Sequence, residues 1–201
     1  MRKLVLLGTI ALLPLALIGQ EEPKAEVYGG YSYLRNSGSN FNGWSTQGTA
    51  NFTPHFGLTA DFSGNYRTRG AFSPITGLAF SADQRLYTFL VGPTLRGDFG
   101  KFSLFGHGLF GAARSSLGAG ITLPLVGGLS RGLTSATAFA MAWGGGLDIG
   151  LSRYFAIRAA QVDYLYTRFS PTDALSTGLL TNSLNGHQNS FRYSAGIVFR
   201  F

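Results

Sequence analysis

Apolar and polar residues alternate with a period of two along most of this chain. The stretch "FRYSAGIVFRF" sets Phe191, Tyr193, Ala195, Ile197, Phe199 and Phe201 against Arg192, Ser194, Gly196, Val198 and Arg200. "GWSTQGTANF" sets Trp44, Thr46, Gly48, Ala50 and Phe52 against Ser45, Gln47, Thr49 and Asn51. "FGLTADFSGNYR", "LYTFLVGPTLR" and "FAMAWGGGLDIG" repeat the pattern, with Leu90 an apolar exception in the polar set. Successive side chains of a strand point to opposite faces, so this period specifies strands. Eight are predicted, over 25–35, 43–53, 56–67, 85–96, 101–114, 138–150, 154–168 and 189–201. The connections at 53–55, 97–100 and 151–154 are tight, and those at 36–42, 68–84, 115–137 and 169–188 are long. Short and long connections at opposite ends of an up-and-down meander are the signature of an outer-membrane barrel.

Composition says which face is outside. Only 12% of the residues are charged, against a norm of ~25% for globular chains. A soluble domain so poor in charge would struggle to cover its surface. The set carrying the aromatics and aliphatics therefore faces lipid, and the set rich in Ser, Thr, Asn, Gln and Gly faces inward. In hydrocarbon every backbone group needs an internal partner, which a closed barrel provides. Strands of about 11 residues match a tilted transmembrane strand. The expected fold is an all-β, closed, antiparallel, up-and-down transmembrane barrel. Trp44, Tyr66, Tyr87, Tyr166 and Phe191 would form an aromatic girdle near the loop end, with Phe52, Phe56, Phe102, Phe155 and Phe201 near the turn end. The apolar loop 115–137, with Ile121, Leu123, Leu125 and Val126, leaves three options: an outward extension of its hairpin, a patch for a partner, or a further strand pair that makes ten.

The first 19 residues differ from the rest. Arg2 and Lys3 precede an apolar run from Leu4 to Ile18, and a polar "QEEPKAE" follows Gly19. This is the plan of a cleaved signal peptide, residues 1–19, with the cleavage site poorly defined because Leu17 is not small. A short segment, 20–24, then leads into the barrel domain, 25–201. Cleavage takes the net charge from +7 to +5 by removing Arg2 and Lys3. The basic residues form no run, so nucleic acid is not an expected partner. Cysteine is absent, which excludes disulfides and thiolate chemistry.

The segments "VYGGYSYLR", "GLDIGLSRYFAIR", "QVDYLYTRF" and "YSAGIVFRF" resemble the small eight-stranded outer-membrane barrels of the OmpA/OmpX type. The resemblance covers about Ala25 to Phe201 and implies a monomer in the bacterial outer membrane. It also implies that the last strand, through Tyr193, Ile197, Phe199 and Phe201, is read by the outer-membrane assembly machinery. The partners expected are therefore outer-membrane lipid and that machinery.

Parity places Glu26, Asp61, Arg67, Arg96, Asp148, Asp163, Arg192 and Arg200 inside, with His107 and Gln161. Arg158 joins them only if a bulge near Ala159–Ala160 resets the phase. Isolated buried charge is costly, so a paired network filling the lumen is expected, with an ion path as the alternative. Enzyme signals are thin. "GLSRG", Gly128 to Gly132, matches G-x-S-x-G but lacks the strand–elbow–helix context that motif needs. "GGGLDIG" lacks dinucleotide-binding spacing, and its small residues are better explained by close packing. His55, His107 and His187 have no metal-like spacing, and no His-x-Ser pair is present. No cofactor, metal or catalytic residue is expected. The expected role is non-enzymatic: structure, envelope integrity or surface contact through long loops. A narrow pore and a barrel-type lipid hydrolase are the alternatives.

Overall fold

The computed structural model describes residues 24–36, 39–73, 78–123, 127–168 and 187–201. The expected signal peptide lies outside them. Eight strands follow in chain order: β1 (Ala25–Asn36), β2 (Ser39–Asn51), β3 (Phe56–Ser73), β4 (Leu78–Phe99), β5 (Phe102–Leu123), β6 (Gly127–Gly150), β7 (Phe155–Arg168) and β8 (His187–Arg200). Each pairs antiparallel with its neighbour in sequence, and β1 pairs with β8, so the sheet closes into a barrel with no free edge in its wall. Closure runs from Glu26↔Arg200 to Asn36↔Ser190. It is completed by the Phe201 amide donating to the Ala25 carbonyl at 2.9 Å.

Four expectations need correction. The stretches 36–42, 68–84 and 115–137 are largely strand, not loop, with β1 and β2 paired to Asn36↔Ser39. Strands β3 and β4 stay paired to Ser73↔Leu78, and β5 and β6 to Leu123↔Gly127. Beyond the lipid neither face has to be apolar, so the two-residue signal fades while backbone pairing continues. The hairpin at 115–137 is thus an outward extension, and the ten-strand alternative fails. Leu125 and Val126 lie outside the described residues. Finally, the turn expected at 97–100 is a two-residue link, because Phe99 pairs with Phe102. Gly100 sits there at φ 65°, the left-handed region that a residue without Cβ enters freely.

The outer wall is apolar from Phe56 to Tyr66. Those two residues are ten apart on β3, about 33 Å along the strand and ~25 Å of height at a tilt of ~40°. That height matches the apolar band of a bilayer. Val27, Leu58, Phe62, Phe89, Phe110, Trp143, Ile157, Val162 and Ile197 are all exposed on this wall. Such a surface is stable only in lipid.

Candidate functional site: a two-layered lumen

The interior is built by the inward half of every strand. Towards the turn end it is ionic. Arg158 donates from Nε and Nη2 to Asp148 at 2.8 and 3.2 Å, and from Nη1 to the Gln47 and Gln161 side-chain oxygens at 2.5 and 2.8 Å. Its guanidinium carbon lies 4.4 Å from the Tyr28 ring centre and 4.1 Å from that of Phe105. Cation–π contact and hydrogen bonds thus hold this charge on every side. At the rim Arg96 is bonded to Glu26 and, at 3.1 Å, to Asp98. The Arg200 Nε lies 3.1 Å from the same Glu26 carboxylate.

Further in, Arg192 is fully buried. It donates to both Asp61 oxygens at 2.8 and 2.9 Å, to Asp163 Oδ2 at 2.9 and 2.8 Å, and to Ser63 at 3.0 Å. Asp163 also accepts from Gln161 at 2.7 Å, and its other oxygen lies 2.9 Å from His107 Nε2. Asp61 accepts from Gln47 at 2.8 Å. Gln47 and Gln161 therefore join the Arg158 and Arg192 clusters into one network. Four carboxylates, Glu26, Asp61, Asp148 and Asp163, face four guanidiniums, Arg96, Arg158, Arg192 and Arg200. Among these eight groups the charges cancel, as burial in a lumen demands, and the fifth carboxylate, Asp98 on Arg96, is exposed at the rim.

Local sequence makes the room. Arg158 enters the lumen because the β6–β7 register shifts between Leu147 and Asp148, and the β7–β8 register between Arg158 and Gln161. This is the bulge at Ala159–Ala160, one extra residue that lets Arg158 and Asp163 share a face despite opposite parity. A Cβ on Gly144 would sit 2.2 Å from the Asp163 carboxylate, and one on Gly146 would sit 2.7 Å from the Phe105 ring. "GGGLDIG" is therefore spacing for the network.

Towards the loop end an apolar cluster joins the buried polar residues Ser32, Asn65, Thr88 and Thr167. Leu34, Phe41, Leu86, Leu90, Leu109, Ala113, Ala140, Ala142 and Leu165 pack into one buried cluster. Leu90 belongs to this second layer. Arg67 keeps the expected inward side, 5.7 Å over the buried Phe41 ring, but makes no ion pair with a described residue. The apolar layer was not expected from the sequence. Its signal, inward Leu at 34, 86, 90, 109 and 165, is visible once strand phase is known. Tyr28, Gln47 and Phe105 belong to the network without carrying charge, so the parity of charged positions alone does not find them.

Between the ionic clusters lies a cavity of about 10 Å³, room for a single water, lined by residues including Gln47, Thr59, Arg96 and His107. His55 is exposed in the β2–β3 turn, 3.2 Å from the Arg96 carbonyl. The side chain of His187 lies outside the described residues. Among the described residues His107 makes no hydrogen bond to a hydroxyl, and no three His, Asp or Glu converge as a metal site.

The chain can now be set beside known proteins. No family model and no curated protein matches it. Among solved structures, Ail, the attachment invasion locus protein of Yersinia pestis, is similar with a TM-score of 0.53 at 21% identity, over 90% of this chain and 99% of that one. Ail in complex with the heparin analogue sucrose octasulfate gives 0.56 at 20% identity, over the same shares. The fold is that of the small eight-stranded outer-membrane barrels of the OmpA/OmpX type. The N-terminal barrel domain of Pseudomonas aeruginosa OprF is a more distant match, with a TM-score of 0.40 at 11% identity over 90% of this chain and all of that one.

Proposed function

We propose that this protein is a non-enzymatic integral protein of the bacterial outer membrane, a sealed barrel that presents a surface-contact module. The observation that carries the proposal is the uneven height of the barrel. Strands β3 to β6 continue beyond the loop-end girdle as a four-stranded sheet, paired through Ser73↔Leu78, Ala79↔Thr122 and Leu123↔Gly127. Among the described residues, strands β1, β2, β7 and β8 do not follow. Pairing of β6 with β7 stops at Phe139↔Arg168, so no described strand covers the outer edge of β6 over 127–138. Pairing of β2 with β3 stops at Asn42↔Tyr66, which leaves the edge of β3 over 67–73 in the same condition. Edges that no described strand covers offer rows of amides and carbonyls to an extended segment of another chain. Ail, an attachment protein, forms a complex with a heparin analogue, and surface contact is the same class of role.

Shortening both projecting hairpins, by removing 69–82 and 118–133, should leave a folded barrel that has lost attachment to host cells or matrix. Retained attachment would overturn the proposal. The sealed lumen predicts no single-channel current from the refolded protein in a planar bilayer, and steady conductance would favour the pore. Tyr193, Ile197, Phe199 and Phe201 are all exposed, which supports reading this strand as the segment the assembly machinery recognises. Deleting Phe201 should slow assembly in cells while refolding in detergent stays nearly intact. An equal loss in both settings would make Phe201 merely structural.

A further inference from the structure

At the loop-end girdle the outer wall carries a group that lipid burial alone does not require. Trp44, Tyr66 and Tyr87 gather over Gly64, where a Cβ would come within 3.1 Å of all three. Their polar tips meet. Trp44 Nε1 donates to the Tyr66 hydroxyl at 3.3 Å, and the Tyr66 and Tyr87 hydroxyls are 3.2 Å apart. Phe62 lies beneath, edge-on to Trp44 at 5.2 Å and stacked with Tyr87 at 6.5 Å. The result is an aromatic shelf with an apolar underside and a polar lip.

Two arginines stand on that lip. Arg85 is the cross-strand partner of Tyr66, and Arg114 is that of Tyr87. Both are exposed and outward-facing. Among the described residues neither forms an ion pair, and Arg114 makes only a 3.3 Å bond to the Ser135 hydroxyl. Two guanidiniums that no described carboxylate pairs, Asp83 two residues from Arg85 included, stand beside three polar aromatic tips at the edge of the apolar band and match a molecule with a phosphate above and an acyl chain below.

We propose that Trp44, Tyr66, Tyr87, Arg85 and Arg114 form a binding site for a phosphorylated lipid headgroup of the outer leaflet. The arginines hold the phosphate, the hydroxyls and indole N–H bond the polar region, and Phe62 lies against the first methylenes of the chain. This rests on the outer-membrane reading above, because only that orientation puts the shelf at the outer leaflet.

The test titrates refolded protein in phosphatidylcholine nanodiscs with lipid A. Trp44 fluorescence is followed in a Trp143→Phe background. Saturable binding is expected. Each of Arg85→Gln and Arg114→Gln should weaken it about fivefold, the size of one basic residue near an anionic surface. Tyr66→Phe should weaken it with no change in charge. Arg35→Gln removes an exposed arginine elsewhere on the rim and should leave affinity unchanged. Equal losses for all three arginines would overturn the site in favour of diffuse charge, and so would saturable binding of inorganic phosphate as tight as that of lipid A. A chain that folds in the nanodisc yet ignores lipid A refutes the site and spares the barrel. A chain that does not insert at all refutes the outer-membrane reading first.

Discussion

In the turn-end half of the lumen, Arg158 and Arg192 sit among Asp61, Asp148, Asp163, Gln47 and Gln161. In the loop-end half, Leu34, Leu90, Leu109 and Leu165 sit among alanines and Phe41. The ionic half keeps a cavity with room for a single water beside Gln47, Thr59 and His107, and the two halves specify the barrel differently. The ionic half makes directional ties across the lumen: Arg192 on β8 to Asp61 on β3, Arg158 on β7 to Gln47 on β2, and Arg96 on β4 to Glu26 on β1. A strand shifted by one residue would send its charge into lipid and strand the partner inside. The apolar half supplies burial and close packing with little directional demand. Register is therefore guarded most strictly near the turns, and the leucine layer seals what lies above.

The difference can be broken from either side. The largest effect is expected from Arg192→Leu, which leaves Asp61 and Asp163 buried and uncompensated. A loss of about 3–5 kcal/mol should appear in denaturant unfolding from vesicles. Adding Asp61→Asn and Asp163→Asn should restore most of it, because the stranded charge is then gone. If the triple variant is no better than the single one, the ties are not what Arg192 provides.

Leu90→Ala probes the other half. It should cost roughly 2–5 kcal/mol by opening a cavity, towards the low end if neighbouring leucines relax. No second substitution of polar type should rescue it, and Leu90→Met should cost less than about 1.5 kcal/mol. A leucine layer as intolerant of reshaping as the arginines are of removal would erase the contrast.

The smallest effect belongs to the hydroxyl ladder between Thr49, Thr59 and Thr94, spaced 2.8 and 2.6 Å. Thr94→Val should cost about 1 kcal/mol, the net worth of one neutral hydrogen bond. The same measurement applies, and a loss as large as that of Arg192→Leu would show that the ladder is part of the ionic network.

Much of this was legible without coordinates. Strand number, order and inward phase follow from the two-residue period, because lipid on one side and a closed interior on the other leave no freedom for a mixed face. The inward position of Glu26, Asp61, Arg96, Asp148, Asp163, Arg192 and Arg200 follows from that phase. Even the need for a bulge at Ala159–Ala160 can be read, since Arg158 and Asp163 have opposite parity. Partner choice cannot. Arg192 and Asp61 are 131 residues apart, and nothing local distinguishes Asp61 from Asp148 as the partner of Arg192.

What only the tertiary structure decided is what depends on height and on contact across the barrel. The curvature of eight tilted strands brings inward leucines from β1, β4, β5 and β7 into one cluster, although buried polar residues such as Ser32, Thr88 and Thr167 flank them in their own strands. Beyond the bilayer the amphipathic constraint that made the chain readable disappears. Backbone pairing carries β3 to β6 outward, and the sequence bears no period to announce it. The same closure brings Arg85 and Arg114 beside the aromatic shelf. The chain by itself determined which residues turn inward or outward, because solvent imposes that strand by strand. Which inward residues meet was left to register and curvature, because those belong to the closed sheet and to no strand alone.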